Sequence, residues 1–150
     1  MQHPQYLELR DLAFSFPVKP ESHGEQTVQV LIADWHRGNG IITLVLTIDG
    51  AVSLYFSNGS SVIGSGKFPA VSQAAEALMH RAQQSFKEGQ QVSTHILPDT
   101  GQLQFFCRTA NALFWLPAGA DPSQVSATII DLFNGMNEVI ACIRETNQQG

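Results

Sequence analysis

Charged residues are scarce in this sequence, and basic clusters are absent. Only 14% of the 150 residues are Asp, Glu, Lys or Arg, against about 25% in an average soluble domain. The net charge is −5, and no run of Lys or Arg occurs. Because proteins attract nucleic-acid phosphates mainly through clustered basic residues, we expect no nucleic-acid partner. A sparsely charged surface is readily buried, so the composition favours a protein partner or a homodimer.

Long hydrophobic segments are also lacking. The longest apolar run, residues 41–48 (IITLVLTI), is far shorter than the roughly 20 residues that span a bilayer. The N-terminal sequence has no basic start followed by an apolar block, so no signal peptide is predicted. No basic amphipathic helix suited to an anionic membrane surface is present either. We therefore expect no membrane interaction and a cytoplasmic location.

Catalytic and metal-binding motifs are absent. The two cysteines, Cys107 and Cys142, lie in separate apolar segments and are expected to be buried free thiols. None of the five histidines is paired with another at HxH or HxxxH spacing. The chain also has no GxSxG nucleophile elbow. We therefore predict no catalytic residue, no metal ligand and no cofactor.

Strand patterns are clear in two parts of the chain. Residues 27–65 contain the β-rich runs TVQVLIADW, IITLVLTI, AVSLYFS and a short fourth run, separated by HRGNG, DG and NG. Such sequences are typical of strands joined by tight turns, so we predict an antiparallel meander of three or four strands. Residues 41–48 are predicted to be its central strand, because they are the most continuously apolar. The runs LQFFCRT and ALFWLPA predict a hairpin that turns near Ala110 and Asn111.

The first predicted helix lies between these two groups of strands. Pro69 suits the first position of a helix, and Gly89 is typical of the residue that follows one. Apolar residues recur between them at helical spacing: Val71, Ala74, Ala75, Leu78, Ala82 and Phe86.

The second predicted helix ends the chain. Asp121 is placed to cap it, with Pro122 at the first position and Gln124 in a capping box. Gly135 lies at the edge of its apolar face, which indicates either a close neighbour or a bend. The apolar face comprises Val125, Ile129, Leu132, Phe133, Met136, Val139, Ile140 and Ile143.

This order of elements predicts an α+β fold. A single domain, residues 27–150, is expected to pack an antiparallel sheet, made of the meander and the hairpin, against two amphipathic helices. The order is similar to that of profilin-like and roadblock-like domains, an analogy of topology that implies no function. Residues 1–26 are expected to form a partly ordered N-terminal segment, with either a strand or a short helix after Pro4.

The stretch SSVIGSGKFP, residues 60–69, raises the question of a phosphate-binding loop. The P-loop pattern requires Gly where this chain has Ser61, and Ser or Thr where it has Phe68. Pro69 also removes one of the backbone N–H groups that would hold a phosphate. We therefore exclude a P-loop and predict a strand end that leads into a helix. Lys67 remains a candidate for weak anion binding near the helix N-terminus.

The stretch ADWHRGNG supplies the other candidate binding residues. Asp34, Trp35, His36 and Arg37 stand together at the end of a predicted strand. Trp and Arg are common at binding hot spots, and Arg binds carboxylates through its planar fork. The alternative is a polar turn whose Trp folds back over the core.

A longer run carries a resemblance. The sequence ADWHRGNGIITLVLTIDGAVSLYFSNGSSVIGSG, followed by an Ala-rich helix, resembles a group of bacterial proteins to which no activity is assigned. The shared pattern is a D-W turn, T-L-V, a D-G turn, S-L-Y-F-S and a Gly-rich I-G segment, over roughly residues 32–86. The resemblance implies a bacterial-type protein and no particular activity. That group generally lacks a lysine at the position of Lys67, which argues against a phosphate role.

Together these observations predict a non-catalytic binding module that interacts with a protein partner or with itself. One alternative is a small enzyme whose site is assembled from Asp34, His36 and Arg37 with a polar group of the Gly-rich loop. Another is an immunity-type or inhibitor-type protein, which also fits a small acidic domain. The sequence indicates no particular small-molecule ligand.

Overall fold

The computed structural model describes residues 2–19, 24–118 and 125–149, with side chains to residue 146. In this part of the chain there are three α-helices and seven β-strands. They are α1 (Pro4–Phe14), β1 (Val30–His36), β2 (Ile41–Thr47), β3 (Val52–Phe56), β4 (Ser61–Ile63), α2 (Pro69–Ser85), β5 (Gln90–Val92), β6 (Leu103–Arg108), β7 (Leu113–Pro117) and α3 (Ala127–Gln149).

The strands form one antiparallel sheet in the order β4-β3-β2-β1-β6-β7-β5. The predicted α+β class, the meander and the second hairpin are confirmed. Within the meander β2 lies between β1 and β3 and is buried along its whole length, as predicted for residues 41–48. In the whole sheet the middle strand is β1, because β6 pairs with its open edge. β5 was not predicted, since its sequence QQV is short and mostly polar.

Helices α2 and α3 cover one face of the sheet and bury the larger hydrophobic core. Val71, Ala74, Ala75, Leu78 and Ala82 of α2 are buried there, which confirms the predicted apolar face. Six of the predicted apolar residues of α3 are also buried in this core: Ile129, Leu132, Met136, Val139, Ile140 and Ile143.

Glycine allows two close approaches in this layer. A Cβ at Gly135 would lie 2.9 Å from Leu78 Cδ1. Of the close neighbour and the bend that Gly135 indicated, the structure therefore contains the close neighbour, which is Leu78 of α2. A Cβ at Gly89 would lie 2.8 Å from Leu116 Cγ. Gly89 follows the 3₁₀ turn after α2 with φ −79° and ψ 167°. It is therefore needed for packing rather than for the left-handed conformation that often ends a helix.

One of the two predicted helix starts agrees with the structure: α2 begins at Pro69. α3 begins at Ala127, later than the predicted start at Pro122, and residues 125 and 126 before it are not helical. Ser126 Oγ accepts a hydrogen bond from the Ile129 N–H at 3.2 Å, as the side chain of an N-cap residue does. The predicted cap at Asp121, Pro122 and Gln124 lies outside the described residues.

Helix α1 covers the opposite face of the sheet. It begins at Pro4, and its N-cap is His3, whose Nδ1 accepts the N–H of Gln5 at 3.1 Å. Of the two conformations expected after Pro4, the structure therefore contains the helix. The buried residues of α1 are Tyr6, Arg10, Ala13 and Phe14, and the apolar ones pack in a second core with residues of β1, β2, β3 and β6.

None of the helices in the described ranges is both long enough and apolar enough to span a bilayer.

Candidate functional site

A buried ion pair joins α1 to the centre of the sheet. Arg10 donates from Nε to Asp34 Oδ1 at 3.1 Å and from Nη2 to Asp34 Oδ2 at 2.6 Å. The two side chains are 3% and 0% exposed, so neither charge is solvated by bulk water. Their alignment is the bidentate fork that guanidinium and carboxylate groups favour.

Two sheet residues complete the contacts of Asp34. Thr43 Oγ1 donates to Asp34 Oδ1 at 2.7 Å, and Gln104 Nε2 donates to Asp34 Oδ2 at 3.0 Å. With the two bonds from Arg10, each carboxylate oxygen accepts two hydrogen bonds. A carboxylate offers about four acceptor positions, so Asp34 has none left for a substrate proton.

Tyr6 extends this chain of hydrogen bonds. Its hydroxyl lies 2.7 Å from Thr43 Oγ1. Because Thr43 has one hydroxyl proton and donates it to Asp34, Tyr6 must be the donor to Thr43. Burial and the nearby charge of Asp34 raise the pKa of Tyr6 to about 12, although the Thr43 hydrogen bond and Arg10 act in the opposite direction. Tyr6 is therefore a neutral donor at physiological pH.

Arg10 also fixes the 93–102 loop, which comprises residues 93–102 and connects β5 to β6. Its Nη1 donates to the carbonyl of His95 at 3.0 Å and its Nη2 to that of Ile96 at 3.2 Å. In the middle of the loop, His36 Nδ1 lies 3.1 Å from the Pro98 carbonyl. A carbonyl only accepts, so His36 Nδ1 carries the proton in this contact. At the end of the loop, the His36 N–H donates to the Gln102 carbonyl at 2.9 Å. The loop is therefore held by α1 on one side and by the end of β1 on the other.

Gln104 connects the ion pair to Trp115. Its Nε2 also donates to the Ile96 carbonyl at 2.8 Å, and its Oε1 accepts the indole N–H of Trp115 at 2.9 Å. Since Asp34 and the Ile96 carbonyl only accept here, the orientation of the amide is determined. Trp115 is thereby held in one orientation by a chain of hydrogen bonds that ends at Arg10.

The indole of Trp115 forms one wall of a groove, which we call the Trp115 groove. Its volume is about 340 Å³, and it lies between the 93–102 loop and strands β6 and β7. This volume is at the lower end of the range for ligand pockets. The lining residues are Ile96, Leu97, Asp99, Gln102, Leu103, Gln104, Trp115 and Pro117.

The structure separates the four predicted binding residues of the ADWHRGNG stretch. Asp34 is buried under α1. Trp35 lies on the opposite face, which α2 and α3 cover, and packs edge-to-face on Phe133 of α3 with ring centroids 5.0 Å apart. His36 contacts the 93–102 loop. Arg37 is exposed and stacks over the Trp35 ring at 4.9 Å. This arrangement matches the alternative of a polar turn with Trp35 folded back over the core.

Lys67 lies far from that turn. It is exposed in the 3₁₀ turn Ser65–Lys67, which contacts the β2–β3 turn, whereas Arg37 lies at the opposite end of β2. A strand of this length spans about 20 Å. The structure therefore does not bring Lys67 together with the other candidates.

Lys67→Ala is expected to change the free energy of unfolding by less than about 1 kcal/mol. The side chain is exposed, with Nζ 5.2 Å from the centroid of the Phe68 ring, and such exposed cation–π contacts contribute little. Urea unfolding monitored by circular dichroism measures the difference. Unfolding of the variant at room temperature would contradict the assignment of Lys67 to a surface turn.

Thiol and metal chemistry have no support in the described residues. Burial raises the pKa of Cys107 to about 12. The pKa of Cys142 is also raised, mainly by burial and then by the negative charges of Glu145 and Glu138. Cys107 is buried as predicted, whereas Cys142 is only half-buried; both are free thiols. No group of three or more His, Cys, Asp or Glu side chains in this part of the chain is arranged to hold a metal ion.

Sequence reasoning missed Arg10, Gln104 and Trp115 as a connected set. Trp115 was assigned to a strand, but its partner Gln104 is 11 residues away and Arg10 is 24 residues from Asp34. One signal was available: Arg10 is the only basic residue in the α1 sequence PQYLELRDLAF, and such a side chain is either solvated or, where it is buried, paired. The pattern alone does not choose between the two.

Comparison with known proteins gives no further assignment. No protein-family model matches the chain, and no curated protein or solved structure is significantly similar to it.

Proposed function

We propose that this protein is a non-catalytic binding module of a bacterial cytoplasm, and that its Trp115 groove takes an apolar side chain of a protein partner. The observation that carries the proposal is the hydrogen-bonded chain from Trp115 through Gln104 to Asp34 and Arg10. These hydrogen bonds hold the indole of Trp115 in place before any partner binds. Binding to a preformed wall loses less conformational entropy than binding to a mobile one.

The positions of Asp34, His36 and Arg37 favour binding over catalysis. The four hydrogen bonds to Asp34 leave it no acceptor position for a proton. His36, Asp34 and Arg37 make separate contacts and do not converge. An enzyme site built from these three groups would need them to act on one substrate, and their separate contacts do not bring them together.

The groove and its rim have the chemistry of an interaction surface. Leu97, Leu103, Trp115 and Pro117 supply apolar walls, and Ile96 at the rim is 64% exposed. Trp is the residue type most enriched at interface hot spots, particularly where it is already packed. The low charge content leaves few solvated side chains that would oppose burial.

The test uses N-acetyl-leucinamide and N-acetyl-phenylalaninamide as models of an apolar side chain on a neutral backbone. The chain has two tryptophans, so Trp35→Phe leaves Trp115 as the only indole fluorophore. We expect saturable changes in its emission with a Kd in the millimolar range, because ligands of this size gain about 4 kcal/mol. Glycine N-acetyl amide, which lacks a side chain, should produce no saturable change.

Ile96→Ser should weaken this binding at least about threefold, since one rim side chain contributes roughly 0.7 kcal/mol or more. Ile63→Ser is the matched control: Ile63 is also 64% exposed but lies on β4 at the other edge of the sheet. Both variants should unfold at the wild-type urea concentration. Equal affinities in the two variants, or no saturable binding to the wild type, would contradict the proposal.

Sedimentation velocity identifies the source of the natural occupant. If the wild type forms dimers that Ile96→Ser dissociates and Ile63→Ser does not, the occupant is a second copy of this chain. If the protein remains monomeric but binds the amides, the occupant belongs to another protein. Dimers that neither variant affects would show self-association through a different surface, and the groove would then lose its proposed role in it.

A further inference from the structure

A second groove on the α1 face contains a cation without a carboxylate partner. Arg108 is the last residue of β6, and its half-buried side chain reaches the C-terminal end of α1. There Nη1 donates to the Phe16 carbonyl at 2.7 Å and more weakly to the Ala13 carbonyl at 3.5 Å. These carbonyls carry only partial negative charge.

The charge of Arg108 is not compensated within the described residues. The ion pairs of arginine found there join Arg10 to Asp34 and Arg81 to Asp131, and neither includes Arg108. Burial lowers the pKa of Arg108 from its ordinary value, which reflects a cation that has lost part of its hydration. A guanidinium of this kind gains more from an added anion than a fully hydrated one does.

Several donors of Arg108 remain available. A guanidinium has five N–H groups, and the described hydrogen bonds of Arg108 use only Nη1. Its Nε and Nη2 have no hydrogen-bond partner there, and neither atom is buried, because Gln29 Nε2 is the only buried polar side-chain atom without a partner among the described residues. The Nε and Nη2 N–H groups of Arg108 are therefore accessible to a ligand.

Those surroundings are an open groove of about 530 Å³, which we call the Arg108 groove. Its lining contains no Asp or Glu. Its polar members are short hydroxyl and amide side chains and one imidazole: Ser15, Gln91, Ser93, His95, Thr109 and Asn111. His95 stacks on Phe14 with ring centroids 3.9 Å apart, and its Nε2 lies 3.2 Å from Asp11 Oδ1.

We propose that the Arg108 groove binds an oxyanion, a carboxylate or phosphate group, through the free fork of Arg108 and the surrounding hydroxyl and amide groups. Guanidinium binds both kinds of group in a planar bidentate arrangement. The volume of the groove leaves room for the rest of a small organic anion. The net charge of −5 repels anions at long range, so binding depends on these local donors.

The test is a two-dimensional ¹H–¹⁵N titration at constant ionic strength, with sodium phosphate in one arm and sodium acetate in the other. We expect saturable shifts of the Arg108 Nε–H signal and of the Ser93 and Asn111 backbone amides, with a Kd of roughly 1–10 mM. Saturation with phosphate alone assigns a phosphate ligand, and saturation with acetate alone assigns a carboxylate. Shifts that stay linear up to about 50 mM in both arms would overturn the proposal.

Two variants separate binding from folding. Arg108→Gln should weaken binding at least about tenfold, but it also removes an anchor of α1. Asn111→Asp keeps that anchor and places a carboxylate in the groove, so it too should abolish saturable shifts while leaving the melting temperature almost unchanged. Arg37→Gln, at an exposed arginine outside the groove, is the matched control. Wild-type affinity in Asn111→Asp would overturn the proposal even if Arg108→Gln fails to fold.

Discussion

Asp34→Ala is expected to lower the free energy of unfolding by about 3–5 kcal/mol, a large fraction of the 5–15 kcal/mol typical of a domain. The substitution removes the acceptor of four hydrogen bonds and leaves the Arg10 guanidinium, which is 3% exposed, without its counter-charge. Desolvating an unpaired charge costs more than the pair itself contributes. Equilibrium unfolding in urea measures the loss.

The exposed ion pair between Arg81 and Asp131 provides the matched control. Arg81 Nη1 lies 3.7 Å from Asp131 Oδ1, and the Asp131 side chain is 57% exposed. Asp131→Ala should therefore lower the free energy of unfolding by less than about 1 kcal/mol. A double variant, Arg10→Met with Asp34→Leu, should recover much of the stability lost in Asp34→Ala, because no buried charge remains. If Asp34→Ala costs no more than Asp131→Ala, the ion pair is not buried as described.

Gly66→Ala is expected to cost about 3 kcal/mol or more, and to disrupt the contact between the 3₁₀ turn and the β2–β3 turn. A Cβ at position 66 would collide with the carbonyl oxygen of Gly50. Backbone atoms cannot turn aside as a flexible side chain can, so one of the two turns must move. Thermal unfolding, together with the amide shifts of residues 48–52, would report both the loss and its location.

The neighbouring glycine is the control for this prediction. Gly64 has a φ of +82°, and nothing lies within 4 Å of a Cβ built on it. Gly64→Ala should therefore cost only the strain of a left-handed alanine, about 1–2 kcal/mol. Equal losses in the two variants would show that the turn at Gly50 moves away from the added Cβ at little cost, and would contradict the prediction for Gly66. The stretch that resembled a phosphate loop would then need no close packing against Gly50.

Periodicity predicted most of the fold because each pattern reflects burial on one face. Alternation in residues 52–56 and helical spacing in residues 71–82 correspond to side chains that reach the larger core. The pairing of β6 with β1, which makes β1 the middle strand of the whole sheet, was not predicted. A local pattern carries no information about a strand that arrives about 60 residues further along the chain.

The candidate site was less predictable because its contacts are distant in sequence. Asp34 appeared to belong to an exposed turn with Arg37, whereas Arg10 buries it under a helix whose pattern left its conformation open. Trp35 was predicted to be a binding residue, whereas Trp115 was assigned only to a strand. Only the hydrogen bond from Trp115 to Gln104, next to an open groove, distinguishes them.

The central claim is that Trp115 is held in place by the buried polar chain and forms the wall of a groove that binds apolar groups. The most direct measurement follows the two indole N–H signals during a titration with N-acetyl-phenylalaninamide. We predict that the Trp115 signal is protected from hydrogen exchange before the titration and then shifts saturably, while the Trp35 signal stays in place. A Trp115 signal that exchanges rapidly with solvent, or one that does not move as the amide is added, would contradict the claim.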